Sequence, residues 1–245
     1  LRRGDVKQLN RAIQHWRDAV AIAPEKTENY LKLSRALYLL GDGYLRLDDD
    51  EDTMVVALEE ATNLAESAIS IQNKEFRNAV CEGADVEEVV GKLRAEDVPA
   101  VYWYAGALGK WSLASSILVA LKNKDKIFAM MQRIKELDPA YWYGAVDRYL
   151  GAYYTKIPFP SGDKELSLKH FKASLERAPK YLATSVLMAK MLAPKLDDEE
   201  GRKLYKERLE YVINAPKDII PDLIPEHALE KQKAQILLDE IDDKF

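Results

Sequence analysis

The sequence predicts an all-α protein: helical hairpins stacked into a superhelix, an α-solenoid, forming one domain over residues 1–245. Three observations predict it. Apolar residues recur three or four apart almost throughout, which gathers them on one helix face, and no stretch alternates as a half-buried strand does. Prolines that would stop a helix follow such segments at Pro24, Pro139, Pro179 and Pro216. Aligned on those prolines, the four segments share a register.

Twelve residues before the prolines stand Ala12, Ile127, Ser167 and Leu204; eight before, Trp16, Met131, Phe171 and Arg208; five before, Ala19, Ile134, Ser174 and Tyr211. These are second-helix offsets of a tetratricopeptide (TPR) repeat. The last two intervals, 40 and 37 residues, slightly exceed its usual length of about 34, and the first, 115 residues, is about three units. Trp111, Ser115 and Leu118 take first-helix positions ahead of Pro139. In such an array each hairpin buries its face by stacking on the next.

In chain order, Leu9, Ile13, Trp16 and Val20 place a helix over 6–23, stopped by Pro24. Tyr30, Leu33, Leu37 and Leu40 place a second helix, folded back on the first, with Gly41 and Gly43 weakening its end. An alanine-rich third helix covers 54–71, and 72–96 reads as an irregular insertion carrying Val86, Val89, Val90 and Leu93. Asp97, two residues ahead of Pro99, marks the N-cap region of the next helix. That helix gives way at a connection over Asn123–Asp125 to one bearing Ile127, Met131 and Ile134. A third aromatic-rich helix begins near Tyr141. Pro158 and Pro160 then make a stiff link, Ser161-Gly162-Asp163 a turn, and helices follow over 164–178, 181–192, 198–214 and 226–241.

Composition excludes several functions. With 47% hydrophobic and 31% charged residues the balance is that of an ordinary globular chain, and no apolar run approaches the roughly 18 residues of a membrane span. A net charge of −5 with interleaved signs offers no stripe for a phosphate backbone, so nucleic-acid binding is not expected. The single Cys81 excludes an internal disulfide and a cysteine-rich zinc cage. The chain starts at Leu1 rather than Met, and a preceding piece is expected to have been removed.

No catalytic motif is present. His15, His170 and His227 are far apart and none lies in a helical metal pattern, and there is no nucleophile elbow, phosphate loop or dinucleotide fingerprint. The chain is therefore read as a non-enzyme without a cofactor. His170 reads as a helix-surface or interface residue, with a proton-transfer role as the weaker alternative. Asp48, Asp50, Asp52 and Glu59 occupy positions one, three, five and twelve of a calcium-loop register, but Thr53 stands where the turn needs glycine. A helix-capping acidic loop is the preferred reading of these weak metal candidates.

The stretch from Val101 to Tyr154 concentrates three of the four tryptophans and about half of the tyrosines, spaced along helices with alanine and glycine. Tyr102, Trp103, Tyr104, Trp111, Tyr149, Tyr153 and Tyr154 are candidates to contact a hydrophobic solute, against the plainer reading that such rings pack a core. The blocks YWYAGALGKW, ELDPAYWYGAVDRYLGAYYTKIP, SGDKELSLKHFKASLERAPKY and PEHALEKQKAQILL, in this order from Val101 to Leu238, resemble the T-component family (TatT) of TRAP transporters, the tripartite ATP-independent periplasmic systems. Two departures stand out: Ser161-Gly162 where the family commonly has two glycines, and Asp147 where a histidine is frequent.

The resemblance implies a periplasmic TPR-like helical protein, often tethered by a lipid on a cysteine that would lie upstream of Leu1. It implies a homotrimer with a hydrophobic pore through each protomer, and the solute-binding P component as partner. The expected function is a non-enzymatic transport accessory that binds the P component and holds or passes a hydrophobic organic solute. The alternative is a TPR-like scaffold for a protein or peptide. Peptide-binding grooves of that type are usually lined with Lys, Arg and Asn, of which the aromatic stretch is short.

Overall fold

A computed structural model describes residues 6–157 and 162–245, all-α with no strand among the described residues. The expected link at Pro158 and Pro160 and the Ser161 part of the turn lie outside them. The chain forms two compact units, 1–139 and 140–245.

In the first unit, α1 (Val6–Ile22) and α2 (Thr27–Tyr38) fold back on each other, as the short joint at Pro24 predicts. Where Gly41 and Gly43 were expected to weaken the end of the second helix, the α-helix gives way after Tyr38 and runs on as a π-helical segment over Leu39–Leu45. Gly41 is needed there because a Cβ would stand 2.9 Å from Leu58 Cγ, and Leu58 is fully buried. Gly41→Ala is expected to destabilise the protein by about 1–2 kcal/mol through overpacking, read as a lower urea midpoint.

Helix α3 (Glu51–Gln72) packs on α2 and on α6 (Val98–Ser115). Its alanines explain that contact: Ala57, Ala61, Ala65 and Ala68 are all buried along one face, where small side chains let the backbones approach. Between α3 and α6, residues 72–96 contain α4 (Lys74–Cys81), the single-turn α5 (Val86–Val89) and short 3₁₀ turns. Buried Asn73 ties this segment down. Its side-chain oxygen accepts the Phe76 N–H, and its amide donates to the Lys92 carbonyl at 2.9 Å and to Asp97 Oδ2 at 2.6 Å. Asp97 accordingly does not cap α6 with its carboxylate, which turns back to accept the Arg94 N–H at 2.9 Å.

Helix α6 ends earlier than its pattern suggests. The break falls at Ser116, whose hydroxyl accepts the Val119 N–H and starts α7 (Ile117–Leu137), so Asn123–Asp125 lies inside a helix. Leu118 is thereby on α7 and 75% exposed, and does not occupy a first-helix position.

The second unit contains α8 (Tyr141–Lys156), α9 (Lys164–Arg177), α10 (Leu182–Met191), α11 (Asp198–Asn214) and α12 (Ile224–Asp239). Asp163 starts α9 as expected, its carboxylate accepting the N–H groups of Glu165 and Leu166. Helix α8 packs against α9, and α10 against α11, in hairpin fashion. The shared register holds on α7 and α9: Ile127, Met131 and Ile134, and Ser167, Phe171 and Ser174, are all buried. On α11 it slips by one residue. There the buried face is Tyr205, Leu209 and Val212, while Tyr211 is 39% exposed and spends its hydroxyl on the Pro179 carbonyl at 2.8 Å. Ile13 marks the same one-residue slip on α1.

Candidate functional site

Four of the seven candidate rings stand on α6 in the first unit. Trp103 and Tyr104 are buried, whereas Tyr102 and Trp111 keep part of their surface. Trp103 meets Tyr38 and Tyr102 edge to face, at ring-centroid distances of 5.6 Å and 5.2 Å, an arrangement that favours the ring quadrupoles. The Tyr104 hydroxyl donates to Glu66 at 3.2 Å and receives Lys126 Nζ at 3.1 Å. Burial first, and then the Glu66 carboxylate, hold this phenol well above its usual range. It donates rather than ionises.

The other three rings stand on α8 in the second unit, and all keep part of their surface. Tyr149 and Tyr153 lie one turn apart with centroids 5.8 Å apart, and Tyr154 meets Tyr153 edge to face at 5.4 Å. Tyr154 also lies parallel to His170, centroids 5.7 Å apart and planes 10° apart. His170 Nδ1 is 2.9 Å from Asp147 Oδ1, and Asp147 is 4% exposed. Asp147, which departs from the resembled pattern, thus holds a histidine on the neighbouring helix. Sequence spacing gives no signal for this pair, because its members are 23 residues apart on two helices.

The helical register of α8 starts later than the sequence suggests. Trp142, Tyr143 and Gly144 have φ of 45°, 58° and 70°, a left-handed turn, so the right-handed helix expected to begin near Tyr141 begins only after Gly144. For an aromatic residue this conformation costs about 1–2 kcal/mol. Buried Arg148 offsets it: Nη1 donates to the Tyr143 carbonyl at 3.1 Å and Nη2 reaches the Trp142 carbonyl at 3.4 Å. Ser174 Oγ donates to the Gly144 carbonyl at 3.1 Å. Tyr143 then stacks on Tyr181 at 5.1 Å, and the Arg148 guanidinium lies 4.4 Å from the Tyr181 ring centre.

Tyr181 also meets His227 edge to face. His227 is 1% exposed, and neither ring nitrogen has a hydrogen-bond partner among the described residues. Burial lowers its pKa, against the opposing pull of Glu226 and Glu230. Below about pH 6.5 the unfolded chain takes up a proton that the folded ring refuses, so stability is full above that pH and falls as the pH drops. Urea midpoints of the intact protein are expected to decline between about pH 7 and about pH 5.5, and His227→Phe to flatten that slope.

Among the described residues no three of His, Cys, Asp and Glu are grouped so as to hold a metal ion. Asp48, Asp50, Asp52 and Glu59 are exposed, and Asp50 caps α3 by accepting the Thr53 N–H at 3.2 Å, as the capping reading has it. No helix of the described residues is long and apolar enough to cross a membrane.

A comparison with curated proteins finds no match. The family model described as TRAP transporter T-component matches residues 56–245, which bears out the resemblance read from the ordered blocks between Val101 and Leu238. With most of its length matched, the chain belongs to the T-component family of TRAP transporters, an accessory part of that transport system.

Proposed function

We propose that the protein is a non-enzymatic T component that binds the periplasmic solute-binding P component and holds a hydrophobic organic solute against its aromatic surface. The family match carries the transport role. The partly exposed rings of Tyr149, Tyr153 and Tyr154 support the solute contact, since rings left in reach of solvent offer apolar area with little entropy to lose on binding. Within the first unit taken by itself, Tyr102 and Trp111 on α6 are candidates for a solute contact of their own, with Trp103 and Tyr104 buried behind them. In this reading the protein works in the periplasm as a homotrimer with a hydrophobic pore through each protomer, and meets the membrane only through a lipid anchor.

Co-purification from the native periplasm, with mass spectrometry of proteins and extracted small molecules, tests the proposal. Recovery of a solute-binding protein together with an apolar solute is expected. Recovery of peptide termini alone would replace it with a TPR-like scaffold. In parallel, Tyr153→Ala should weaken binding of a hydrophobic dye at an unchanged melting temperature, and a variant that melts early yet binds dye normally would remove Tyr153 from the surface.

A further inference from the structure

One polar atom on the ring stacked against Tyr154 makes no hydrogen bond among the described residues. Asp147 accepts from His170, so Nδ1 carries a proton, and Nε2 lies on the opposite edge of the ring. Nε2 has no hydrogen-bond partner among the described residues, and the His170 side chain is 14% exposed. One ring face is covered by Tyr154, and Leu166, one turn earlier on α9, is exposed. The ring that carries this nitrogen is thus stacked on an aromatic side chain, on a helix that also exposes Leu166.

The pairing selects among ligands. With a neutral ring that keeps its proton on Nδ1, the Nε2 lone pair can accept a hydrogen bond, and the Asp147–His170 pair carries one negative charge. With a protonated ring the pair is neutral. A hydroxyl can donate to Nε2 without bringing a charge out of water, whereas an anionic group would have to shed its hydration beside the Asp147 carboxylate.

We propose that His170 Nε2 is the polar anchor of the Tyr149–Tyr153–Tyr154 surface and accepts a hydrogen bond from the hydroxyl of a largely apolar solute, an alcohol or a phenol. This rests on the solute-contact reading above. His170 sets orientation and preference, while the rings supply the apolar contact.

Fluorescence titration of the full chain at neutral pH with naphthol, its methyl ether and naphthoate tests both layers. Naphthol is expected to bind about fivefold tighter than the ether, the worth of one net hydrogen bond. His170→Phe should erase that preference while keeping the ether's affinity. His170→Gln, which retains an acceptor, should restore part of it, and Asp147→Asn, which removes the acceptor-only partner holding the proton on Nδ1, should shrink it. Circular dichroism of each variant confirms folding, and the wild-type probe ranking decides the question even where a variant does not fold. Naphthoate binding tightest, or equal binding of all three probes, would overturn the anchor and leave the aromatic surface standing. Failure of every probe to bind wild type would overturn the surface itself.

Discussion

Arg148→Ala is expected to destabilise the 140–245 unit by about 2–4 kcal/mol, the largest loss from any single charged side chain in it. The guanidinium donates to the Tyr143 and Trp142 carbonyls and covers Tyr181. Its removal takes donors from two part-buried carbonyls, at about 1–3 kcal/mol for hydrogen bonds to a charged group, and takes away a contact with Tyr181 worth about 0.5–2 kcal/mol. The left-handed strain at Trp142 and Tyr143 remains and is no longer offset. Urea unfolding reads the loss, and near-ultraviolet circular dichroism, which reports the Tyr143–Tyr181 stack, should change with it. Arg148→Lys should recover only part, because an ammonium cannot present two planar donors to two carbonyls. A variant with wild-type stability would show that the turn holds itself.

The second large effect is expected at the α8–α9 contact. Phe171 is fully buried against Gly151, where a Cβ would stand 2.8 Å from the Phe171 ring. Phe171→Ala should cost about 3–5 kcal/mol from lost burial and the cavity left behind. Gly151→Ala should cost about 1–3 kcal/mol for the opposite reason, overpacking. The two are coupled through the same space. Gly151→Ala should therefore be cheaper in a Phe171→Leu background than alone, by roughly 1 kcal/mol in a double-mutant cycle. Additive costs would mean that the ring moves aside freely and that the fit is not what positions α9.

That contact also shows why the α9 register was legible. Ser167, Phe171 and Ser174 are the three register positions, and each meets a glycine of α8. Ser167 donates to the Gly151 carbonyl at 2.7 Å, Phe171 fills the space above Gly151, and Ser174 donates to the Gly144 carbonyl. Residue size and spacing encode such a fit locally, so the offset from Pro179 finds it. On α11 the same offset fails by one residue, because Tyr211 serves the Pro179 carbonyl while Tyr205 enters the core with its hydroxyl on the Leu237 carbonyl. The choice of which tyrosine is buried depends on partners about 30 residues away.

Apolar periodicity and proline stops by themselves determined the all-α class and most helix boundaries, because these depend on contacts within a few residues of one another, while the family is carried by the ordered sequence blocks between Val101 and Leu238. Ser116 ends α6 by a local device, its hydroxyl capping α7 at the N–H three residues on, although the apolar pattern runs on. Tertiary structure alone decided two things. It turned Trp142–Gly144 left-handed, because the Arg148 and Ser174 side chains supply donors that local propensity does not contain. And it set Asp147 against His170, whose ring stacks on Tyr154. Pairings across two helices depend on how the helices are docked, and a linear pattern of residues holds no record of that.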